Sequence, residues 1–375
     1  MTVRHPCRRV VPRSASACVI ALVIATGALP ALSAAQTPPT RSDEATAAAT
    51  AAPAATAPRE APAIALVLPL NSGTYGRASA AVKDGFLAAA AVAGEHPLVL
   101  SHGDNDVEAA FAQARADGAR VIVGPLVRDD VKAIAIMGVD SPLVLALNQV
   151  DEGLALPPNM FTLTLGVESE ARQLAKLARD TGAMTLAVVG ADTPLQKRFA
   201  AAFVDAWVQA GGAAPLTLRF DRAQDMLVLL KRELARSKVD AALLAVDGAD
   251  AVLVKPYVGT VAAYAGSSVN DRQPRDTLRD LEDVHFVDIP WLATPEAREF
   301  AGIARPSLPN ATLDRLYALG IDAFRVAQLL ADGRLDHIEL DGATGHLRLD
   351  DTRQFAREGR ALQFKGGQVV PAGAP

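Results

Sequence analysis

The sequence predicts a two-lobed α/β protein in which parallel sheets are flanked by helices. Two observations carry this. Short, continuous apolar runs recur along the chain, bounded by Gly, Pro and polar residues and separated by helix-period segments, as in a sheet covered on both faces. The alternation then begins again after residue 165, giving more strands than one sheet of a compact domain ordinarily holds.

The first run, Ala63 to Leu70, is apolar at every position and reads as a strand. The loop Asn71-Ser72-Gly73-Thr74-Tyr75-Gly76 follows, and 78–92 reads as a helix. Then come a strand over 97–100, a polar loop over 101–106, a helix over 107–116 and a strand over 120–123 that ends in Gly124-Pro125-Leu126. A helix over 129–137 and a strand over 143–147 complete a unit of the kind that makes a parallel sheet with right-handed crossovers. The second unit has helices over 168–179, 195–209 and 226–237, and strands over 185–189, 216–220 and 241–246. From about residue 288 onward the sequence supplies a helix over 312–330. A hairpin of 338–341 and 346–349 turns on Gly342-Ala343-Thr344-Gly345. Lobe 1 is expected to take 63–165 plus 290–340, and lobe 2 166–287 plus 345–373.

Ahead of these units, Arg4, Arg8, Arg9 and Arg13 precede an apolar run from Ala17 to Leu29 and the small residues Ala31 to Ala35. This is the layout of a secretory signal peptide over 1–35, too short in its apolar part for a comfortable membrane span. Cys7 and Cys18, the two cysteines of the chain, fall within it, so no disulfide or cysteine metal site is expected in the folded part. Cys18 stands at the start of the apolar run, with nearly all of the run after it, the wrong order for a lipid-modified cysteine. Residues 36–62 are rich in Ala, Thr and Pro and read as a disordered linker. The formal charge of −5 comes with no basic block, and no nucleic-acid partner is expected.

Catalytic motifs are lacking. There is no G-x-S-x-G elbow, H-E-x-x-H pair or G-K-[ST] loop, and the histidines are scattered. Neither a metal nor a cofactor is expected. In an open α/β sheet, ligands meet the carboxyl ends of the strands. That rule makes Ser72, Gly73, Tyr75, Gly76, Gly124, Pro125, Asn148, Gln149 and Asp247 the cleft candidates. For Asp247 and Asp250, a helix cap is the simpler reading. Trp207, spaced helically from Phe199 and Phe203, and Trp291 are expected to pack.

Several segments resemble the LppC-type penicillin-binding-protein activators, the LpoA-like lipoproteins. They include Ile64 to Leu70 with Lys83-Asp84-Gly85-Phe86, Val121 to Leu126, and Leu145-Ala146-Leu147-Asn148-Gln149. Later ones are Phe286 to Leu292, Leu313 to Ala323, and Leu340 to Gly345, so the resemblance covers essentially all of 63–373. It implies a type I periplasmic-binding fold with three crossovers between lobes. It further implies a non-catalytic regulator of peptidoglycan synthesis, activating a bifunctional class A penicillin-binding protein by protein–protein contact. Larger family members carry an N-terminal helical-repeat domain and work from the outer-membrane side. Here an Ala/Thr/Pro spacer precedes the lobes, and no lipobox is evident. The competing reading is a periplasmic solute receptor closing on an amino acid or similar small ligand in the inter-lobe cleft. Leu126-Val127-Arg128 stands where amino-acid-binding relatives are expected to carry a Ser/Thr pair, which weakens that reading.

Overall fold

The computed structural model describes residues 63–138, 142–150, 155–272 and 274–373. The expected signal peptide, the linker and both cysteines lie outside the described residues.

The first unit runs β1 (Ile64–Leu68), α1 (Gly76–Ala93), β2 (Leu98–Ser101), α2 (Val107–Ala116), β3 (Val121–Val123), α3 (Arg128–Met137), β4 (Leu143–Ala146) and β5 (Met160–Thr162). Its strands form an all-parallel sheet in the order β2-β1-β3-β4-β5. Every residue of β1 is buried because both faces are covered. Ala65 and Val67 face Phe111, Val131 and Ile134 on one side. Leu66 and Leu68 face Val82, Phe86, Tyr317 and Phe324 on the other. Strand β5, preceded by Pro157-Pro158-Asn159, has only three residues, too few for a period or an apolar run to announce it.

The second unit continues with α4 (Val167–Asp180), β6 (Leu186–Gly190), α5 (Pro194–Gln209), β7 (Leu216–Arg219), α6 (Gln224–Ser237), β8 (Ala241–Ala245), α7 (Gly248–Val258), β9 (Ala262–Ala265), α8 (Arg275–Asp280) and β10 (Val284–Asp288). Helix α5 starts where Pro194 supplies a preset φ and the Thr193 hydroxyl accepts the Gln196 amide. Phe199, Phe203 and Trp207 form its buried stripe, and the Trp207 indole donates to Ala213 O at 2.8 Å.

The last part comprises α9 (Pro290–Ala293), α10 (Ala311–Ala331), β11 (Glu339–Asp341), β12 (His346–Leu349), β13 (Phe355–Glu358), β14 (Arg360–Lys365) and β15 (Gln368–Pro371). Strand β14 adds antiparallel to β10, giving a second sheet in the order β15-β14-β10-β9-β8-β6-β7. The hairpin β11–β12 gains β13 as a third strand. Residues 346–358, assigned to lobe 2 from sequence, sit in this small third sheet, and Leu347 and Phe355 bury in the core shared with the first sheet. The chain crosses between the lobes at 163–166, 288–290 and 358–360.

Helix α10 is buried along almost its whole length and packs on α1. The approach is close enough that a Cβ on Gly85 would overlap the Tyr317 carbonyl, and one on Gly320 the Val82 carbonyl. Phe86 and Phe324 meet edge to face at 5.3 Å beside the crossing. Trp291 is buried between Phe300 and Tyr317, with the Arg305 guanidinium 3.5 Å over its ring.

Candidate inter-lobe site

The carboxyl ends of the first sheet are built by two turns that hold each other. Gly124 has φ +116°, and a Cβ there would overlap the Val67 carbonyl, so glycine is required. Past the cis Gly124–Pro125 bond, Pro125 O accepts the Leu147 amide at 2.8 Å. Leu126 O accepts the Asn148 side-chain amide at 3.0 Å, and Asn148 Oδ1 accepts the Gln149 amide at 3.0 Å.

These turns form one wall of a cavity of about 280 Å³. Leu126, Asn148 and Gln149 come from lobe 1, Thr164 and Gly166 from the crossover, and Leu195 and Arg198 from α5 of lobe 2. Leu316 and Leu319 of α10 complete it. Of the sequence candidates, Asn148 and Gln149 line this cavity, while Gly124 and Pro125 shape its wall from behind. Ser72, Gly73, Tyr75 and Gly76 do not line it. They form the β1–α1 turn, in which the buried Ser72 hydroxyl accepts the Thr74 and Tyr75 amides. Asp247 caps α7 by accepting the Asp250 amide at 2.8 Å, and Asp250 in turn accepts from Arg222 Nε at 2.7 Å. Among the described residues no cluster of His, Cys, Asp or Glu could hold a metal ion.

Sequence reasoning missed two cavity arginines, Arg128 and Arg198. Arg198 donates to Glu168 Oε1 at 2.7 Å, tying α5 to the first turn of α4. Arg128 opens α3, where the macrodipole disfavours a cation, and that misfit was its signal.

A buried polar network lies beside the cavity, on residues for which the sequence suggested no role. Glu170 of α4 accepts the Ser267 amide at 2.5 Å and its hydroxyl at 2.9 Å. Asp288, at the end of β10, holds Arg315 of α10 in a two-pronged pair at 2.9 and 2.7 Å. Asn270 Nδ2 and the Ile289 amide also donate to Asp288. Arg357 is buried nearby and donates to Thr344 O, and burial lowers its pKa. Asp322 accepts the Ala343 and Thr344 amides and the Thr344 hydroxyl, which fixes the Asp341 to Gly345 turn against α10.

Burial pushes the Glu170 carboxyl above its usual range; the Ser267 bonds oppose this and Asp288 adds to it. A carboxyl raised in the fold favours folding while protonated. That stability is lost as pH rises from the unfolded value through the folded one. Glu170→Gln stays neutral and can turn its amide to Ser267 Oγ. It is expected to melt above the parent at neutral pH and to flatten the melting profile as pH rises above the ordinary carboxylate range. Parallel profiles for the two proteins would contradict this.

Such a molecule, with two α/β lobes, three connecting strands of chain and a cleft at the strand ends, has the architecture of the periplasmic-binding class. The chain belongs to the LppC family: the family model described as "LppC putative lipoprotein" matches residues 47–227 and 217–367. Curated relatives include the Penicillin-binding protein activator LpoA of Klebsiella pneumoniae subsp. pneumoniae, 28% identical over 301 residues, which are 70% of this chain and 42% of that protein. Its counterpart in Edwardsiella piscicida is 27% identical over 74% of this chain and 46% of its own length. The chain thus spans less than half the length of these relatives.

Among solved structures, the LpoA (YraM) C-domain from Haemophilus influenzae, a regulator of PBP1A, has a TM-score of 0.72 at 24% identity, covering 82% of this chain and 99% of that one. This likeness confirms the type I periplasmic-binding fold. A protein of Chromobacterium violaceum ATCC 12472 described as a putative branched-chain amino acid ABC transporter has a TM-score of 0.71 at 36% identity, covering 80% of this chain and 98% of that one.

Proposed function

We propose that this protein is a regulator of peptidoglycan synthesis that activates a bifunctional class A penicillin-binding protein by direct contact and does no chemistry of its own. The observation that carries this reading is family membership across both lobes, with curated relatives named as penicillin-binding protein activators. Residues 1–35 direct export to the periplasm, and 36–62 serve as a spacer ahead of the lobes. Activation would work by population shift, the synthase's active state binding the lobes better than its resting state. The site is in keeping with a regulator: the polar groups of Ser72 and Asp247 are engaged in a turn and a cap.

The test is a pull-down of the full chain with the organism's own class A synthase, followed by glycan-polymerisation and crosslinking assays. Binding with stimulation of the synthase is the expected result. Failure to bind, together with a thermal shift on adding free amino acids, would favour a solute receptor instead.

A further inference from the structure

We propose that the two lobes are latched in one arrangement by a clamp between residues 267–272 of lobe 2 and the first turns of α10 of lobe 1. Segment 267–272 follows β9 of the second sheet, and its Val269 is buried in that sheet's core. Helix α10 belongs to the other core, through Tyr317, Ile321 and Phe324. Hydrogen bonds between the two are therefore bonds between lobes.

They run in both directions. From lobe 2, the Asp271 carboxylate accepts the Ala311 amide at 3.0 Å, where the open end of α10 favours negative charge. Arg272 donates to Asp314 at 2.8 Å and to Leu308 O. From lobe 1, Arg315 donates to Ser267 O at 2.8 Å while paired with Asp288 at the crossover. Three of the anchoring side chains are shielded from water, Asp288, Asp314 and Arg315 being 0%, 7% and 12% exposed, while Arg272 is 47% exposed. Screening by solvent and salt is correspondingly weak at the Asp288–Arg315 pair.

Lobes that open by rotating about their crossovers would have to part 267–272 from α10 and break these bonds together. The clamp is made entirely of the chain's own groups, so the fixed lobe angle is a property of the sequence. The clamp stands independently of the proposed function. Resting on that function is its consequence, that a synthase meets a preformed face spanning both lobes.

The test is a distance distribution between spin labels on Ala112→Cys of α2 and Ala235→Cys of α6, both exposed. It uses the full chain carrying Cys7→Ser and Cys18→Ser. One narrow distance population is expected, unmoved by free amino acids. Arg272→Ala/Asp314→Ala should add a second, longer population. Asp271→Ala, which removes one tie and leaves the buried pair intact, should broaden the distribution even if the double variant folds poorly. A broad or two-population distribution in the parent would overturn the latch, as would an unchanged distribution in a folded Asp271→Ala. No synthase is present in this measurement, so its failure is separate from failure of the functional reading.

Discussion

Gly320→Ala is expected to destabilise the protein by about 3 kcal/mol, the upper part of the range for forcing extra atoms into a close-packed core. On an exposed helix the same change stabilises by up to about 1 kcal/mol, because alanine has the better helix propensity. The sign reverses here because of what lies opposite. A Cβ on Gly320 would overlap the Val82 carbonyl and stand 2.7 Å from the Phe86 amide nitrogen, both backbone atoms of α1 that no rotamer change can move. Gly85→Ala meets the Tyr317 carbonyl from the opposite side of the same crossing. Once one methyl has pushed the helices apart the second meets less resistance, so the double variant should cost less than the two single costs added. Urea unfolding followed by circular dichroism measures all three. A Gly320→Ala protein as stable as its parent would mean that α1 and α10 do not cross this closely.

These glycines show how much of the fold was legible and where legibility stopped. The helices α1 and α10 were plain, with Tyr317 and Phe324 seven residues apart on α10, and α2 was placed to the residue. That the helices touch, and that Gly85 and Gly320 let them, depends on a contact between residues more than 200 positions apart, which no local pattern encodes. Strands β9 and β10 went unassigned for another reason. Ala262 to Ala265 is short, and Val284 to Asp288 is interrupted by His285 and ends in Asp288. Of the strands β13 to β15 only β13 alternates buried and exposed residues, and all three are too brief for a period to stand out.

The cleft was only partly legible. The rule that ligand sites lie at strand carboxyl ends led to Asn148 and Gln149, but it applies equally to Ser72 and Asp247, whose oxygens the turn and the cap engage. Chain order says which loops share an edge of the sheet. It does not say which side chains are consumed locally. The buried network was hidden because Glu170, Asp288 and Arg315 each sit at an ordinary helix or strand position, and burial arises when two lobes close over them.

Arg315→Met is expected to lose about 3–5 kcal/mol, the cost of leaving a buried charge without its partner. Asp288 has no solvent-exposed side-chain surface, and Arg315 supplies two of its hydrogen bonds. The Asn270 amide and the Ile289 N–H would remain, but neither carries charge. Arg315→Lys should fall between, since an ammonium keeps the charge but cannot reproduce the fork that spans Asp288 and Ser267 O. Pairing Arg315→Met with Asp288→Leu removes the stranded charge, and a matched apolar pair is often tolerated where an ion pair stood. Recovery should nonetheless be partial, because Asn270 and the Ile289 amide then lose their acceptor, at about 1–3 kcal/mol for each buried group left unsatisfied. A double-mutant cycle from denaturant unfolding separates these contributions. A single-variant loss under about 1 kcal/mol, the range of exposed ion pairs, would mean that water reaches Asp288 and that the lobes part at this point in solution.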